Sequence, residues 1–200
     1  MAERANGRRL DGGQEGADVS ASPTPKRAQS GARVALAVEG SSNVETGLSI
    51  LDYLVGELAR GGRLRIALEV APGSTGEAVA AAGAALGTAV GERLDAATAA
   101  GTGWALVPAD EALASAALER AEESRLVTNV DFSDIRVGGM TDDVASRFLG
   151  ELARAAGLNL HVRVLEGDDP QHVLASIFKA VGAALGQACR PVQPSMEESA

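Results

Sequence analysis

Few side chains in this sequence could carry chemistry. Its 200 residues contain only two histidines, His161 and His172, and one cysteine, Cys189. A cysteine-rich zinc site and an internal disulfide are therefore excluded. The sequence also has no phosphate-cradling GxxxxGK[ST] loop, no GxSxG nucleophile elbow and no HExxH helix. What remains is a small set of imidazoles, carboxylates and lysines, which suit proton transfer, metal binding or contact with an anion.

Three of these candidates share one face of the last predicted helix. His172, Ser176 and Lys179 are spaced by four and three residues, which places them on the same side of a helix. Lys26 is the only other lysine, so Lys179 is the best single candidate for contact with an anion. The alternative interpretation is a solvated polar face without a ligand, which is common on surface helices.

Two carboxylates and the other histidine lie in different segments. Asp110 and Glu111 fall between two predicted strands, where they could act as acid and base or could simply form a turn. His161 lies on a predicted strand, on the face opposite its apolar residues, and is either a surface histidine or a ligand. The turn GDDP at 167–170 carries two more carboxylates, but no third oxygen ligand follows at a useful spacing.

Charge and composition restrict the partners and the setting. Eighteen basic and 27 acidic residues give a net charge of −9, which argues against nucleic acid because a phosphate-tracking surface needs clustered cations. The stretch 78–91 is too short and too closely flanked by glutamates to span a membrane. Residues 1–31 and 191–200 are predicted to be disordered tails, and the first lacks the apolar region of a secretory signal. With one cysteine, we expect a cytoplasmic protein.

The elements that must position these side chains occur twice in the sequence. Three segments recur in the same order, at offsets of 94, 94 and 99 residues: GELAR at 56–60 and 150–154, LRIALEV at 64–70 with LNLHVRV at 158–164, and GAALG at 83–87 and 182–186. We interpret this as a duplication. The larger last offset predicts five additional residues between the strand and the final helix of the second copy.

Apolar spacing predicts the same elements in both copies. A helix with apolar residues three and four apart precedes a strand of alternating pattern, and a second helix closes each copy at about 76–90 and 170–189. Further strands are predicted at 33–39, 104–107, 112–119 and 125–131. The predicted fold is therefore α+β, with repeats at 32–98 and 102–189. Each repeat runs strands, helix, strand, helix and forms two layers, with both helices on one face of the sheet.

From about Arg27 to Arg190 the chain resembles the imidazoleglycerol-phosphate dehydratase family of histidine biosynthesis. Four segments carry the resemblance: TGLSILDYLVGELARGG at 46–62, LVPADEAL at 106–113, VGGMTDDVASRFLGELARAAGLNLHV at 137–162 and GDDPQHVLASIFKAVGAAL at 167–185. The resemblance implies a duplicated fold like domain 2 of ribosomal protein S5. It also implies a high-order homo-oligomer with metal sites between subunits, and a lyase that uses two manganese ions.

The resemblance also implies where the site residues should lie. The family's metal ligands come from two His-His-x-x-Glu helix starts and from single histidines. Here the first motif reads GEAVA at 76–80 and the second reads QHVLA at 171–175, while Tyr53 and Gly61 stand at two further histidine positions. The resemblance leaves Asp110 and Glu111 as catalytic residues, Ser176 and Lys179 as substrate-binding residues, and His161, His172 and Glu77 as the remaining metal candidates.

The loss of most metal ligands predicts a protein with a degenerate active site. It would act as a scaffold, a regulatory subunit or a binder of another ligand, and manganese would be absent or weakly bound. The alternative is a working dehydratase with a rebuilt site. In either case we expect a homo-oligomer, alone or mixed with a paralogue that keeps the full motifs.

Overall fold

The computed structural model describes residues 29–132 and 144–192. Seven strands and four helices follow one another along this part of the chain: β1 (Gly31–Leu36), β2 (Ser41–Glu45), α1 (Ser49–Gly62), β3 (Leu64–Glu69), α2 (Thr75–Leu94), β4 (Thr102–Ala109), β5 (Ala112–Arg120), β6 (Arg125–Thr128), α3 (Val144–Ala156), β7 (Leu158–Glu166) and α4 (Pro170–Ala188). Most of both predicted tails lies outside the described residues.

The strands form two sheets with matching centres. The first sheet has the order β1-β3-β2, and the second has the order β4-β5-β7-β6. In each sheet the strand after the GELAR helix is antiparallel to one neighbour and parallel to the other: β3 pairs with β1 and β2, and β7 pairs with β5 and β6. The predicted α+β fold is confirmed, and the two GELAR segments occupy equivalent helices, α1 and α3.

The strand predictions need correction in several places, and the strand predicted at 104–107 runs from Thr102 to Ala109. β2 was not predicted, because SSNVE contains a single apolar residue and therefore shows no alternation. The first strand ends at Leu36 and not at residue 39, and Val38 is largely exposed. The strand predicted at 125–131 ends at Thr128. In each case the residues concerned lie in a turn or on an edge strand of the sheet. Apolar alternation does not predict the bounds of such segments, because they are not buried on one face.

The four helices pack in two pairs, and each pair draws one helix from each copy. α1 contacts α4, and α2 contacts α3. In each strand and helix the apolar residues meet in one continuous core, which fills the helix-covered faces of both sheets. Glycines allow the helix backbones to approach closely. A Cβ at Gly182 would lie 2.0 Å from the Leu58 carbonyl oxygen, and a Cβ at Gly87 would lie 2.5 Å from that of Leu152.

These contacts correct the predicted spacing of the repeat. Leu58 and Leu152 are equivalent residues of the two GELAR segments, so their partners Gly182 and Gly87 are equivalent too, at an offset of 95. The helix caps Ser74 and Asp169 show the same offset. The second copy therefore has one additional residue before its last helix and not five, and the matching GAALG segments are shifted by one helical turn.

The helix-free faces of the two sheets differ in character. The first sheet exposes charged side chains such as Arg33, Arg65 and Glu69. The second sheet exposes large apolar side chains, with Trp104 72%, Leu106 52% and Leu165 54% accessible. No helix in the described part of the chain is long and apolar enough to cross a membrane.

Candidate functional site

The first turn of α4 is fixed by its cap. The Asp169 carboxylate accepts hydrogen bonds from the backbone N–H groups of Gln171 and His172, at 2.8 and 3.2 Å, and Pro170 occupies the start of the helix. Proline is well suited to this position because its missing N–H would have no partner there. The cap therefore determines where the His172 side chain leaves the helix.

A tight hairpin brings two carboxylates to His172. β4 and β5 are joined through Asp110 and Glu111, with Asp110 in the left-handed region at φ 50°, which aspartate tolerates better than most residues. Glu111 Oε2 lies 2.5 Å from His172 Nδ1, and Asp110 Oδ2 lies 3.5 Å from His172 Nε2. Glu111 Oε1 also accepts a hydrogen bond from the backbone N–H of Asp169, at 3.0 Å. We call Asp110, Glu111 and His172 the imidazole cluster.

The contacts within the imidazole cluster favour an ionised Glu111 and a protonated His172. The hydrogen bond from the Asp169 backbone, followed by the bond to His172, lowers the pKa of Glu111 to about 2. The Glu111 carboxylate in turn raises the pKa of His172 above 6.5. Such a pair can hold a proton between imidazole and carboxylate, which is the chemistry of a general acid or base. Three residues predicted separately from sequence are thus brought together.

A second group of polar side chains lies between α1 and α4. We call it the ion cluster: Tyr53, Glu57, Arg60, Gln171 and Lys179. Glu57 is central, with its side chain only 6% exposed. Its Oε1 atom pairs with Arg60, and its Oε2 atom lies 3.6 Å from Lys179 Nζ and has no hydrogen bond.

The Tyr53 hydroxyl completes the ion cluster. It interacts with the side chains of Glu57 and Gln171, and burial, followed by the charge of Glu57, raises the pKa of the phenol. The Lys179 side chain is 31% exposed, so it keeps some contact with solvent. The cluster therefore combines one buried carboxylate with two cations at the surface of a helix contact.

Sequence reasoning identified Lys179 but not Glu57, although a signal was present. Glu57 directly precedes the buried Leu58 and lies three residues after the buried Leu54, so it falls on the side of α1 that packs inward. A glutamate among such positions requires a partner, because burying an unpaired carboxylate is costly. That requirement points to a cation on the neighbouring helix.

The other predicted site residues lie elsewhere. Ser176 is fully buried, and its hydroxyl donates to the Val173 carbonyl of its own helix at 2.8 Å. His161 is exposed on the helix-free face of the second sheet, between Ala117 of β5 and Val127 of β6. Neither side chain forms a hydrogen bond or an ion pair with a residue of the imidazole cluster or the ion cluster.

Glu77, the third metal candidate, forms part of a helix cap. Its Oε2 atom accepts from the Ser74 backbone N–H at 2.9 Å and from the Ser74 hydroxyl at 2.7 Å, while the Ser74 side chain accepts from the Glu77 N–H. This reciprocal arrangement is a capping box, which stabilises the start of α2. A structural role therefore accounts for a carboxylate at this position.

The three metal candidates do not form one centre within the chain. His172 contacts Glu111, and His161 is the strand neighbour of Ala117. Glu111 and Ala117 are six residues apart in an extended segment, so the two histidine sites are separated by roughly 20 Å. Among residues 29–132 and 144–192, no three His, Cys, Asp or Glu side chains converge in a way that could hold a metal ion.

Comparisons with known proteins agree on the family. The family described as imidazoleglycerol-phosphate dehydratase matches residues 46–185. The chain is 34% identical over 154 residues to the imidazoleglycerol-phosphate dehydratase of Chlorobium phaeobacteroides (strain BS1), covering 74% of this chain and 76% of that protein. It is 35% identical over 158 residues to that of Desulfitobacterium hafniense (strain Y51), covering 76% and 79%.

A solved structure shares the fold. The crystal structure of imidazoleglycerol-phosphate dehydratase from Staphylococcus aureus subsp. aureus N315 matches with a TM-score of 0.73 at 22% identity, covering 82% of this chain and 95% of that one. At this identity the likeness describes the fold alone. The segment that matches the family, residues 46–185, contains both clusters. The chain belongs to the imidazoleglycerol-phosphate dehydratase family.

Proposed function

We propose that this protein is a dehydratase-family member whose catalytic site is degenerate. It would serve as a scaffold, a regulatory subunit or a binder of a ligand other than the family's substrate. The proposal rests on one observation: side chains at the family's metal positions are engaged in other contacts. Tyr53 interacts with Glu57 and Gln171, and Glu77 caps α2.

The residues of this chain do not fit a two-manganese centre. Such a centre needs several imidazoles and carboxylates that converge on each ion, and two scattered histidines cannot supply them. His172 is already paired with two carboxylates, and His161 lies on another face of the molecule. The proposal therefore includes weak or absent manganese binding.

Self-association is also part of the proposal. Trp104, Leu106 and His161 line a shallow groove on the helix-free face of the second sheet. Exposed apolar surface of this kind commonly marks an interface between proteins. We propose that a second copy of the chain covers it, alone or in a mixed assembly with a paralogue that keeps the full motifs, and that the assembly is cytoplasmic.

The alternative is a working dehydratase with a rebuilt site. The imidazole cluster favours this candidate, because His172 and Glu111 form an acid–base pair beside Asp110. Lys179 of the ion cluster would then contact an anionic substrate, with His161 contributed by the outer face of the second sheet.

Genetic complementation distinguishes the two candidates. The gene is expressed in a histidine auxotroph that lacks its own dehydratase, with a full-motif family member as the positive control. We expect no growth without histidine. Growth that disappears with His172→Ala would overturn the proposal and support the rebuilt site.

Metal analysis gives an independent test. The purified protein is dialysed against manganese and its metal content is measured, with His172→Ala as the paired variant. We expect no stoichiometric manganese in either protein. Two ions per chain in the wild type, lost in the variant, would contradict the proposed degeneration.

A further inference from the structure

Glu57 is an unusual residue in the contact between α1 and α4. Its carboxylate is almost fully buried, and the oxygen that faces Lys179 has no hydrogen bond of good geometry, although the Tyr53 hydroxyl lies beside the same carboxylate. Two cations flank it, Arg60 on its own helix and Lys179 on α4. Because carboxylate and phosphate oxygens bind the same donors, an external anion would compete with Glu57 for these two cations.

The duplicated helix pair provides an internal reference. Glu151 and Arg154 of α3 are the equivalents of Glu57 and Arg60, and they form the same ion pair at i, i+3. At the structural offset of 95, however, Ala84 stands where α4 has Lys179. Glu151 is also more exposed, at 31% of its side chain. A buried glutamate facing a lysine is therefore specific to the pair α1 and α4.

The charges of the ion cluster indicate what Glu57 does. With Glu57 ionised, Arg60 and Lys179 share one negative charge and the three groups sum to one positive charge. Without it, two cations would face the same small volume between the helices. We propose that Glu57 is an internal anion that occupies Lys179 and Arg60 and closes the ion cluster to phosphate. It is thus a specificity-determining residue that excludes small anions.

This inference rests on the proposed function, because it explains why a family member would no longer accept a phosphorylated ligand at Lys179. It makes a separate physical claim, however, about anion binding in the absence of turnover. Inorganic phosphate is therefore the appropriate probe, since it reports on the ion cluster without requiring catalysis or metal.

The test measures phosphate affinity by equilibrium dialysis with radiolabelled inorganic phosphate at low ionic strength, on the full chain. Four variants accompany the wild type: Glu57→Gln, Lys179→Met, the double variant Glu57→Gln/Lys179→Met, and Glu151→Gln as the matched control on the equivalent helix. Glutamine is close to glutamate in shape and removes the negative charge, with an amide N–H group in place of one oxygen, so Arg60 and Lys179 lose their internal anion. Thermal melts followed by circular dichroism establish that each variant is folded.

We expect Glu57→Gln to bind phosphate at least about tenfold more tightly than the wild type, which is the scale of one charge-assisted hydrogen bond. The double variant should lose that gain, and Glu151→Gln should match the wild type. Equal affinity in the wild type and Glu57→Gln, or a gain that survives removal of Lys179, would overturn the inference.

The wild type and Lys179→Met give a second test that does not depend on the folding of Glu57→Gln. If Glu57 already occupies Lys179, removal of the lysine changes phosphate affinity by less than about twofold. A loss of about tenfold would show that Lys179 is free to bind anions and would overturn the inference. The two proposals can fail separately. If the phosphate affinities are as expected but the wild-type gene complements the auxotroph, the proposed loss of catalysis is refuted and the role of Glu57 stands.

Discussion

The pairs α1–α4 and α2–α3 descend from the same repeated elements, and they have diverged in different ways. Both place a glycine against an equivalent leucine carbonyl, and both keep a Glu-x-x-Arg ion pair. Only α1–α4 buries its glutamate against a lysine. Since the glycine contact and the ion pair occur in both, what distinguishes α1–α4 as a polar site is Lys179 and the burial of Glu57.

The two pairs also differ in how closely their backbones approach. A Cβ at Gly186 would lie 2.1 Å from the Gly62 carbonyl oxygen, whereas a Cβ at the equivalent Gly91 would lie 3.5 Å from Ala156 Cα. The first distance is a clash with backbone and the second is ordinary contact. The helix pair that carries the ion cluster is therefore the one with less freedom to adjust.

The largest expected effect comes from adding one methyl group to each of these equivalent glycines. We expect Gly186→Ala to lower the free energy of unfolding by about 2–3 kcal/mol, because the backbone of α1 must move. Gly91→Ala should instead raise it by up to about 1 kcal/mol, through the better helix propensity of alanine. Urea denaturation measures both free energies. Similar effects at the two positions would contradict the closer backbone approach in α1–α4.

Removal of Lys179 should have the next largest effect. Lys179→Met leaves Glu57 with one cation fewer at a buried position, and we expect a loss of about 1–2 kcal/mol in the free energy of unfolding. Arg154→Met in the other helix pair should cost at most about 0.5 kcal/mol, because that ion pair is near the surface. A double-mutant cycle with Glu57→Gln isolates the coupling. An additive cycle would show that Glu57 and Lys179 do not interact.

The two closing helices begin with different caps: α2 has a capping box of Ser74 and Glu77, whereas α4 is capped by Asp169. Ser74→Ala and Asp169→Ala should each cost about 1 kcal/mol of unfolding free energy. In α2, Ser74→Ala and Glu77→Ala should be non-additive, because the two residues form one capping box. Denaturation with and without manganese checks this interpretation. A stabilisation by manganese that requires Glu77 would contradict the structural role assigned to it.

The smallest expected effect concerns the pH dependence of the imidazole cluster. The raised pKa of His172 means that its contribution to stability is present below pH 6.5 and is lost as pH rises through the pKa in the folded protein. The lowered pKa of Glu111 means that its contribution is present above pH 4.5 and is lost as pH falls towards about 2. The pair therefore stabilises the fold most between pH 4.5 and 6.5.

An NMR titration of the histidine ring protons measures this directly. The His172 resonance, assigned by its absence from His172→Ala, should titrate above 6.5 in the wild type. Glu111→Gln should shift that titration downwards, because the hydrogen bond to the Glu111 carboxylate is the main reason that the pKa of His172 is raised. An unchanged His172 titration in Glu111→Gln would rule out the contact.

Much of the fold could be predicted because its apolar residues follow simple periods. The alternation in LRIALEV and LNLHVRV identifies β3 and β7, and the repeated GELAR identifies α1 and α3. β2 could not be found, since a short strand next to a central strand can be held by backbone pairing without apolar alternation. The repeat offset was wrong for a related reason: in helices rich in Ala and Gly, a shift of one turn preserves the pattern.

The site was predictable residue by residue but not as an arrangement. Asp110, Glu111 and His172 were identified separately, and only the hairpin between β4 and β5 shows that they meet. Ser176 shared the predicted face of α4, yet close helix packing buries it completely. Glu57 was not identified, because its importance depends on a lysine 122 residues later in the chain. Contacts between distant segments are not encoded in local spacing.

Trp104 is the only tryptophan in the chain, and its side chain lies exposed on the helix-free face of the second sheet. Its fluorescence therefore arises from a single place on the molecule, at the surface proposed for self-association. Indole emission moves to shorter wavelength when water is removed from the ring. A dilution series of the unmodified protein would thus report assembly optically, without a label, through the one residue whose surroundings would change most.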